Sequence, residues 1–169
     1  MPSELRKTVF KAMEHFARIL KPEDRGLRVL EVGIDGDPLP GGNYRLFGKG
    51  NDYKTLDFLE RLEPDYVADI CDTKMPGNEW DIIILSQTLE HIFDYQAALK
   101  ECYRMLKPGG SLIVDCPFVY EYHGLQEYDD YWRISHKAMA VLIEAIGFEH
   151  GKVALFNGIL TAGIARKPK

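Results

Sequence analysis

The chain has 169 residues, 46% hydrophobic and 28% charged, the balance of a soluble globular protein with one full core. Its formal net charge of -5, with no basic run beyond Arg166-Lys167 and the final Lys169, argues against the basic face a nucleic-acid binder needs. Cys71, Cys102 and Cys116 are odd in number and lack a CxxC pair, so neither a disulfide framework nor a structural zinc site is expected, and no metal is assigned.

The N-terminus MPSELRKTVF carries no apolar leader, and the longest aliphatic run, Ile82 to Leu85, falls far short of the roughly 20 residues that span a bilayer. The expected location is therefore the cytoplasm, away from any membrane. Residues 3–20 place Leu5, Val9, Phe10, Met13, Phe16, Ala17 and Leu20 at helical spacing, with Ser3 as N-cap and Lys21-Pro22 as the stop. LRVLEVG (27–33) reads as a buried strand ending at glycine. Across 34–52, Gly36, Gly41, Gly42, Gly48, Gly50, Pro38 and Pro40 predict a loop without a helix. YKTLDF (53–58) and DYVADI (65–70) follow as strands, and DIIILSQ (81–87) as a central strand buried on both faces.

Ala98, Leu99, Cys102, Met105 and Leu106 make 95–106 a helix, which Lys107-Pro108-Gly109-Gly110 stops before the strand SLIVDCP (111–117). An aromatic-rich loop fills 118–134. Ser135 then caps a helix running through Ala138, Val141, Leu142, Ala145 and Ile146 to Gly147. KVALFN (152–157) and LTAGIARK (160–167) are close enough to pair as a hairpin. The alternation predicts an α/β open sheet, mostly parallel, with one antiparallel strand in the C-terminal hairpin and helices on both faces. It reads as a single domain over 1–169, an N-terminal helix (1–22) preceding the core (27–169).

Two features bear on chemistry. A glycine at the carboxyl end of the first strand lets a ligand approach the backbone at a topological switch point, which places Glu31, Gly33, Asp35 and Gly36 beside such a ligand. Asp57 ends the next strand, 24 residues after Gly33, where a carboxylate can accept both hydroxyls of a ribose. Taken alone, both features could be no more than a tight turn and a solvated strand end.

The order of later segments adds a further signal: Asp69-Ile70, Met75-Pro76, Trp80-Asp81 opening the apolar strand, LSQTLEHI (85–92), then RMLKPGGSLIVDCP (104–117). This succession resembles the class I S-adenosylmethionine-dependent methyltransferases, of the broad type that methylates small molecules. The resemblance covers roughly residues 27–150 and is most specific in 81–117. It implies a Rossmann-like sheet, S-adenosylmethionine as cofactor and a small-molecule acceptor. It further implies Gly33 and Gly36 against the methionine part, Asp57 on the ribose, Asp69 and Ile70 flanking the adenine, and Ser86 and Gln87 on the pocket floor.

The first loop departs from the family's glycine-rich pattern, with Asp35 at the second glycine position and Pro38 removing an N–H. The helix that usually follows is replaced by PLPGGNYRLFGKGN, leaving Arg45 or Lys49 as substitute cations. This altered loop supports an alternative, a catalytically inactive fold that binds a ligand or a partner. A nicotinamide-dependent dehydrogenase would need GxGxxG before a helix, which is missing.

On the acceptor side, FVYEYHGLQEYDDYWRISH (118–136) offers His123 as general base, since imidazole titrates near neutrality. Arg133 could grip an acidic acceptor, or pair with Asp129 or Asp130. His91 is expected to pack and hydrogen-bond at a helix start. Similar "H…DYxR" segments in relatives of glycan biosynthesis imply a sugar-like acceptor.

Overall fold

The computed structural model describes residues 3–34 and 42–169, apart from the side chain of His150. Helix α1 (Glu4–Leu20) starts where the Ser3 hydroxyl accepts the Arg6 N–H at 3.2 Å. It ends at Lys21 in the left-handed conformation (φ 48°). Leu5, Thr8, Ala12, Met13 and Phe16 form its buried stripe; Phe10, expected in the stripe, is exposed instead, and Thr8 and Ala12 take the buried positions.

Among the described residues seven strands form one sheet: β1 (Arg28–Val32), β2 (Asp52–Asp57), β3 (Tyr66–Val67), β4 (Trp80–Ser86), β5 (Leu106–Pro117), β6 (Glu149–Phe156) and β7 (Leu160–Arg166). Their order is β3-β2-β1-β4-β5-β7-β6, with β7 antiparallel to both neighbours and the remaining pairs parallel. The hairpin and the single antiparallel strand stand as expected.

Strand alternation divides the core into two layers. Val29, Ile82, Ile84, Ile113 and Ile164 face α1, while Leu30, Val32, Ile83, Leu85, Leu112 and Val114 face α3 (Tyr95–Met105) and α4 (His136–Ile146). Every residue from Ile82 to Leu85 is at most 3% exposed, as a strand covered on both faces requires. Asp94 and Ser135 cap α3 and α4, each accepting the N–H three residues on. Gly147, at φ 111°, closes α4 in a conformation that suits glycine.

Three local expectations need correction. The loop over 34–52 contains a helix, α2 (Gly42–Phe47). Its glycines are outweighed by tertiary anchors: Asn43 donates to Glu31, Phe47 is buried, and the Asn51 amide donates to the Phe47 carbonyl at 2.7 Å. The strand expected over 65–70 shrinks to the two residues of β3, because the Asp69 carboxylate bends the chain by accepting the Cys71 N–H. Strand β5 begins at Leu106, paired with Trp80 across an irregularity, so Lys107 to Gly110 belong to the sheet edge as well as ending α3.

Candidate active site

The chain runs β1, β2, β3 outward on one side of β1, then returns through β4 and β5 on the other, so the switch point lies between β1 and β4. At its floor Gly33 holds φ +76°, and its N–H bonds the Leu56 carbonyl. Thr88, just past β4, crosses the gap: its hydroxyl contacts the Val32 carbonyl at 3.1 Å and the Ser86 carbonyl at 2.9 Å. A Cβ on Gly33 would stand 2.1 Å from that hydroxyl oxygen. Thr88 therefore demands glycine here, independently of any ligand.

Asp57, 7% exposed at the end of β2, accepts the Ile34 N–H at 3.0 Å and the Leu59 N–H at 2.8 Å. Burial raises its carboxyl pKa, and the backbone donors partly oppose that rise. Glu31 holds the neighbouring face, accepting from Asn43 and from the Tyr53 hydroxyl, each at 2.6 Å. Asp69 is exposed, whereas Ile70 is 6% exposed and part of the core. Asp35 and Gly36 lie outside the described residues.

Ser86 and Gln87 converge on Asp115, which no sequence signal had singled out. The Ser86 hydroxyl donates to it at 2.7 Å, and the Gln87 side-chain amide at 2.6 Å. Gln87 reaches it in the left-handed conformation, φ 50°. Burial pushes the Asp115 carboxyl up to about 6 despite these donors. The available signal was an acid inside the apolar run SLIVDCP.

Beyond Thr88 a 3₁₀ turn (Leu89–His91) presents Glu90, which is fully buried. Neither Glu90 carboxylate oxygen has a hydrogen-bond partner among the described residues. Burial holds its pKa well above the usual carboxylate range. The loop after β5 packs over it. His123 Nε2 stands 3.8 Å from Glu90 Oε1, and His91 Nε2 stands 3.9 Å from the same atom. Burial lowers the His91 pKa.

Arg133 forks onto Asp130, Nη1 to Oδ1 at 2.5 Å and Nη2 to Oδ2 at 2.7 Å. That guanidinium pulls the Asp130 carboxyl down to about 2. Asp130 in turn accepts the His123 backbone N–H at 2.9 Å and lies 3.0 Å from His123 Nδ1. Arg133 thus orients the carboxylate that orients His123. Of the sequence-derived residues, the fold brings Gly33, Asp57, Ser86 and Gln87 to the carboxyl ends of β1, β2 and β4. His123 and Arg133 gather against Glu90, on the loop after β5.

Residues 45–114 match the family model described as methyltransferase domain. Over that segment the chain is similar to this methyltransferase-domain family. A ubiquinone biosynthesis O-methyltransferase of Chelativorans sp. is 30% identical across 59% of this chain and 45% of its own length. The chain thus spans about half the length of the ubiquinone-biosynthesis relatives it matches. Among solved structures, an S-adenosylmethionine-dependent methyltransferase from Archaeoglobus fulgidus superposes with a TM-score of 0.72 at 15% identity, covering 93% of each chain. Phosphoethanolamine N-methyltransferase 2 of Haemonchus contortus, solved with S-adenosyl-L-methionine, reaches 0.72 at 15% identity, over 94% of this chain and 53% of that one. These likenesses establish a Rossmann-like methyltransferase fold. No helix among the described residues is long and apolar enough to cross a membrane.

Proposed function

We propose that this domain transfers a methyl group from S-adenosylmethionine to a hydroxyl oxygen of a small molecule. The observation that carries the reading is Asp57, a buried carboxylate beside the Gly33 turn at the switch point of a methyltransferase-family sheet. The residues fit the cofactor. A carboxylate has about four acceptor positions, and the amides facing Asp57 are those of Ile34, Phe58 and Leu59. Capacity for a ribose diol remains. Glu31 lies next to it along the same strand ends, with Asp69 and Ile70 toward the adenine side and Ser86 and Gln87 beneath the methionine end. Bound there, the cofactor supplies an already activated sulfonium methyl, so in-line placement provides most of the rate.

The acceptor is assigned to the side of the loop after β5. Its groups toward the site are His123 and, acting through Asp130, the positioning residue Arg133. An oxygen acceptor is favoured by the O-methyltransferase relatives; a sugar-like hydroxyl is the narrower expectation. The test is calorimetry with S-adenosylhomocysteine, followed by methyl-transfer assays over hydroxylated small molecules. Saturable binding with turnover on one acceptor supports the reading. No heat and no melting shift at millimolar ligand, with the protein folded, would overturn it.

A further inference from the structure

Glu90, His91 and His123 are the group that the cofactor site leaves unexplained. Glu90 Oε1 and one ring nitrogen from each histidine all lie within 4.8 Å of one another. Burying a carboxylate with no donor on either oxygen is costly, and native folds seldom leave such a group unanswered. The two Nε2 atoms stand 3.8 and 3.9 Å from Oε1, too far for hydrogen bonds.

The outer partners settle which nitrogens face inward. His91 Nδ1 lies 2.6 Å from the Asp129 carbonyl oxygen, an acceptor, so Nδ1 carries the proton. His123 Nδ1 lies 3.0 Å from the Asp130 carboxylate, an acceptor as well. Both rings turn Nε2 toward Glu90, and with Nδ1 engaged outward Nε2 is the nitrogen placed to bind a cation. A histidine whose other nitrogen donates to a carbonyl or carboxylate is the arrangement that fixes metal ligands.

We propose that Glu90, His91 and His123 form a binding site for one divalent transition-metal ion, with zinc, iron(II) and manganese(II) as the chemical class. Two imidazoles with one carboxylate suit these ions better than magnesium or calcium, which take oxygen ligands. Three protein ligands leave at least one position open, as in catalytic rather than structural sites. Metal–nitrogen bonds of about 2.0–2.1 Å would need the Glu90–imidazole separations to close by roughly half an ångström, within the reach of side-chain torsions. Access exists: the His123 side chain is 30% exposed and that of His91 is 14% exposed. The guanidinium of Arg133 is taken up by Asp130 through two hydrogen bonds, which leaves both Glu90 oxygens without a donor among the described residues.

Resting on the methyl-transfer reading, the open position would take the acceptor hydroxyl, since a bound cation lowers the pKa of an oxygen ligand. His123 then acts as ligand rather than as base.

The experiment titrates the metal-free, full chain with zinc, manganese and cobalt(II) as separate probes. Calorimetry gives the stoichiometry, and the cobalt absorption spectrum reports the ligands. The expected result is about one ion per chain, without thiolate charge-transfer bands. Glu90→Gln and His123→Ala should each weaken binding at least about 100-fold, and Asp130→Asn about 10–100-fold, as loss of an outer partner does. Circular dichroism verifies that each variant is folded. Glu90→Gln, which keeps the side-chain size and removes the ionisable carboxyl, should melt no lower than the metal-free parent. No binding of any probe at millimolar concentration overturns the proposal, and so does binding that all three variants retain. S-adenosylhomocysteine titrated into the same samples separates the outcomes, because its site at Asp57 does not include these three residues.

Discussion

The contact between Gly33 and Thr88 allows a worked test of how the switch point is built. In Gly33→Ala the new methyl carbon would stand 2.1 Å from Thr88 Oγ1, 2.7 Å from Cγ2 and 2.9 Å from Cβ. The backbone at φ +76° adds strain, about 1–2 kcal/mol for a residue with a Cβ. Displacing Thr88 also forfeits its hydroxyl contacts with the Val32 and Ser86 carbonyls, about 1 kcal/mol in net terms. The single variant should therefore lose about 2–3 kcal/mol. Thr88→Ala removes the two closest atoms and leaves Cβ at 2.9 Å, so Gly33→Ala in that background should cost the backbone part and a small local shift. A double-mutant cycle by urea unfolding, with unchanged slopes, should return a coupling of about 1 kcal/mol. Equal costs in both backgrounds, within the roughly 0.5 kcal/mol of ordinary additivity, would show that Thr88 does not dictate the glycine.

Asp57→Ala should weaken S-adenosylhomocysteine binding by about 1.5–3 kcal/mol, the range for charged hydrogen bonds, and calorimetry showing unchanged affinity would mean the ribose acid lies elsewhere. Asp115 titrates at about 6 in the fold against an ordinary 3.8, so the folded state binds the proton more tightly. Its contribution to stability is full below about pH 4 and declines as pH rises through 6, by about 3 kcal/mol; Asp115→Asn should flatten that slope in urea unfolding at stepped pH. Asp130 behaves in the opposite sense: its carboxyl sits at about 2, so its contribution holds above pH 4 and is lost as pH falls through 2. Arg133→Ala should accordingly move acid unfolding to higher pH, read by circular dichroism, and an unmoved midpoint would remove Arg133 from its positioning role.

The fold was legible wherever burial sets a strand's period or a cap sets a helix's end. DIIILSQ and the bounds of the Ser135…Gly147 helix stand as read, because four consecutive apolar residues and a cap at each end leave few alternatives, although that helix buries Met139 and Ile143 rather than the exposed Val141. Helix α2 was hidden because its stability lies outside its own six residues. Glu31 and Asn51, and the core that buries Phe47, hold it through contacts that no local propensity contains. At the site, Asp57 and Gly33 were legible from their distance after a strand. Asp115 and Glu90 were not, since an acid in an apolar stretch reads as a strand edge until its burial is known. The Asp130–Arg133 fork was half legible: a pair of Arg133 with Asp129 or Asp130 was expected, but not that the pair would carry His123.

The three buried acids at the strand ends differ in one respect that orders their roles. Asp57 has a backbone N–H on each oxygen, and Asp115 has the Ser86 hydroxyl and both Gln87 donors. Glu90 has none. A carboxylate held by fixed donors is preorganised: it keeps one orientation before a ligand arrives, and a ligand gains without reordering it. Asp57 is such a group, and Asp115 fixes Ser86 and Gln87 in the same way, so the proposed cofactor side is held by the fold itself. On the acceptor side the logic reverses. An orphaned carboxylate between two imidazoles costs stability that the fold could have recovered with a glutamine or a methionine of similar size. Such a cost is expected where a site waits for a partner outside the chain. Among these three, Asp57 and Asp115 are answered by the protein and Glu90 is not, so the proposed cation site and the proposed cofactor site are expected to separate by mutation.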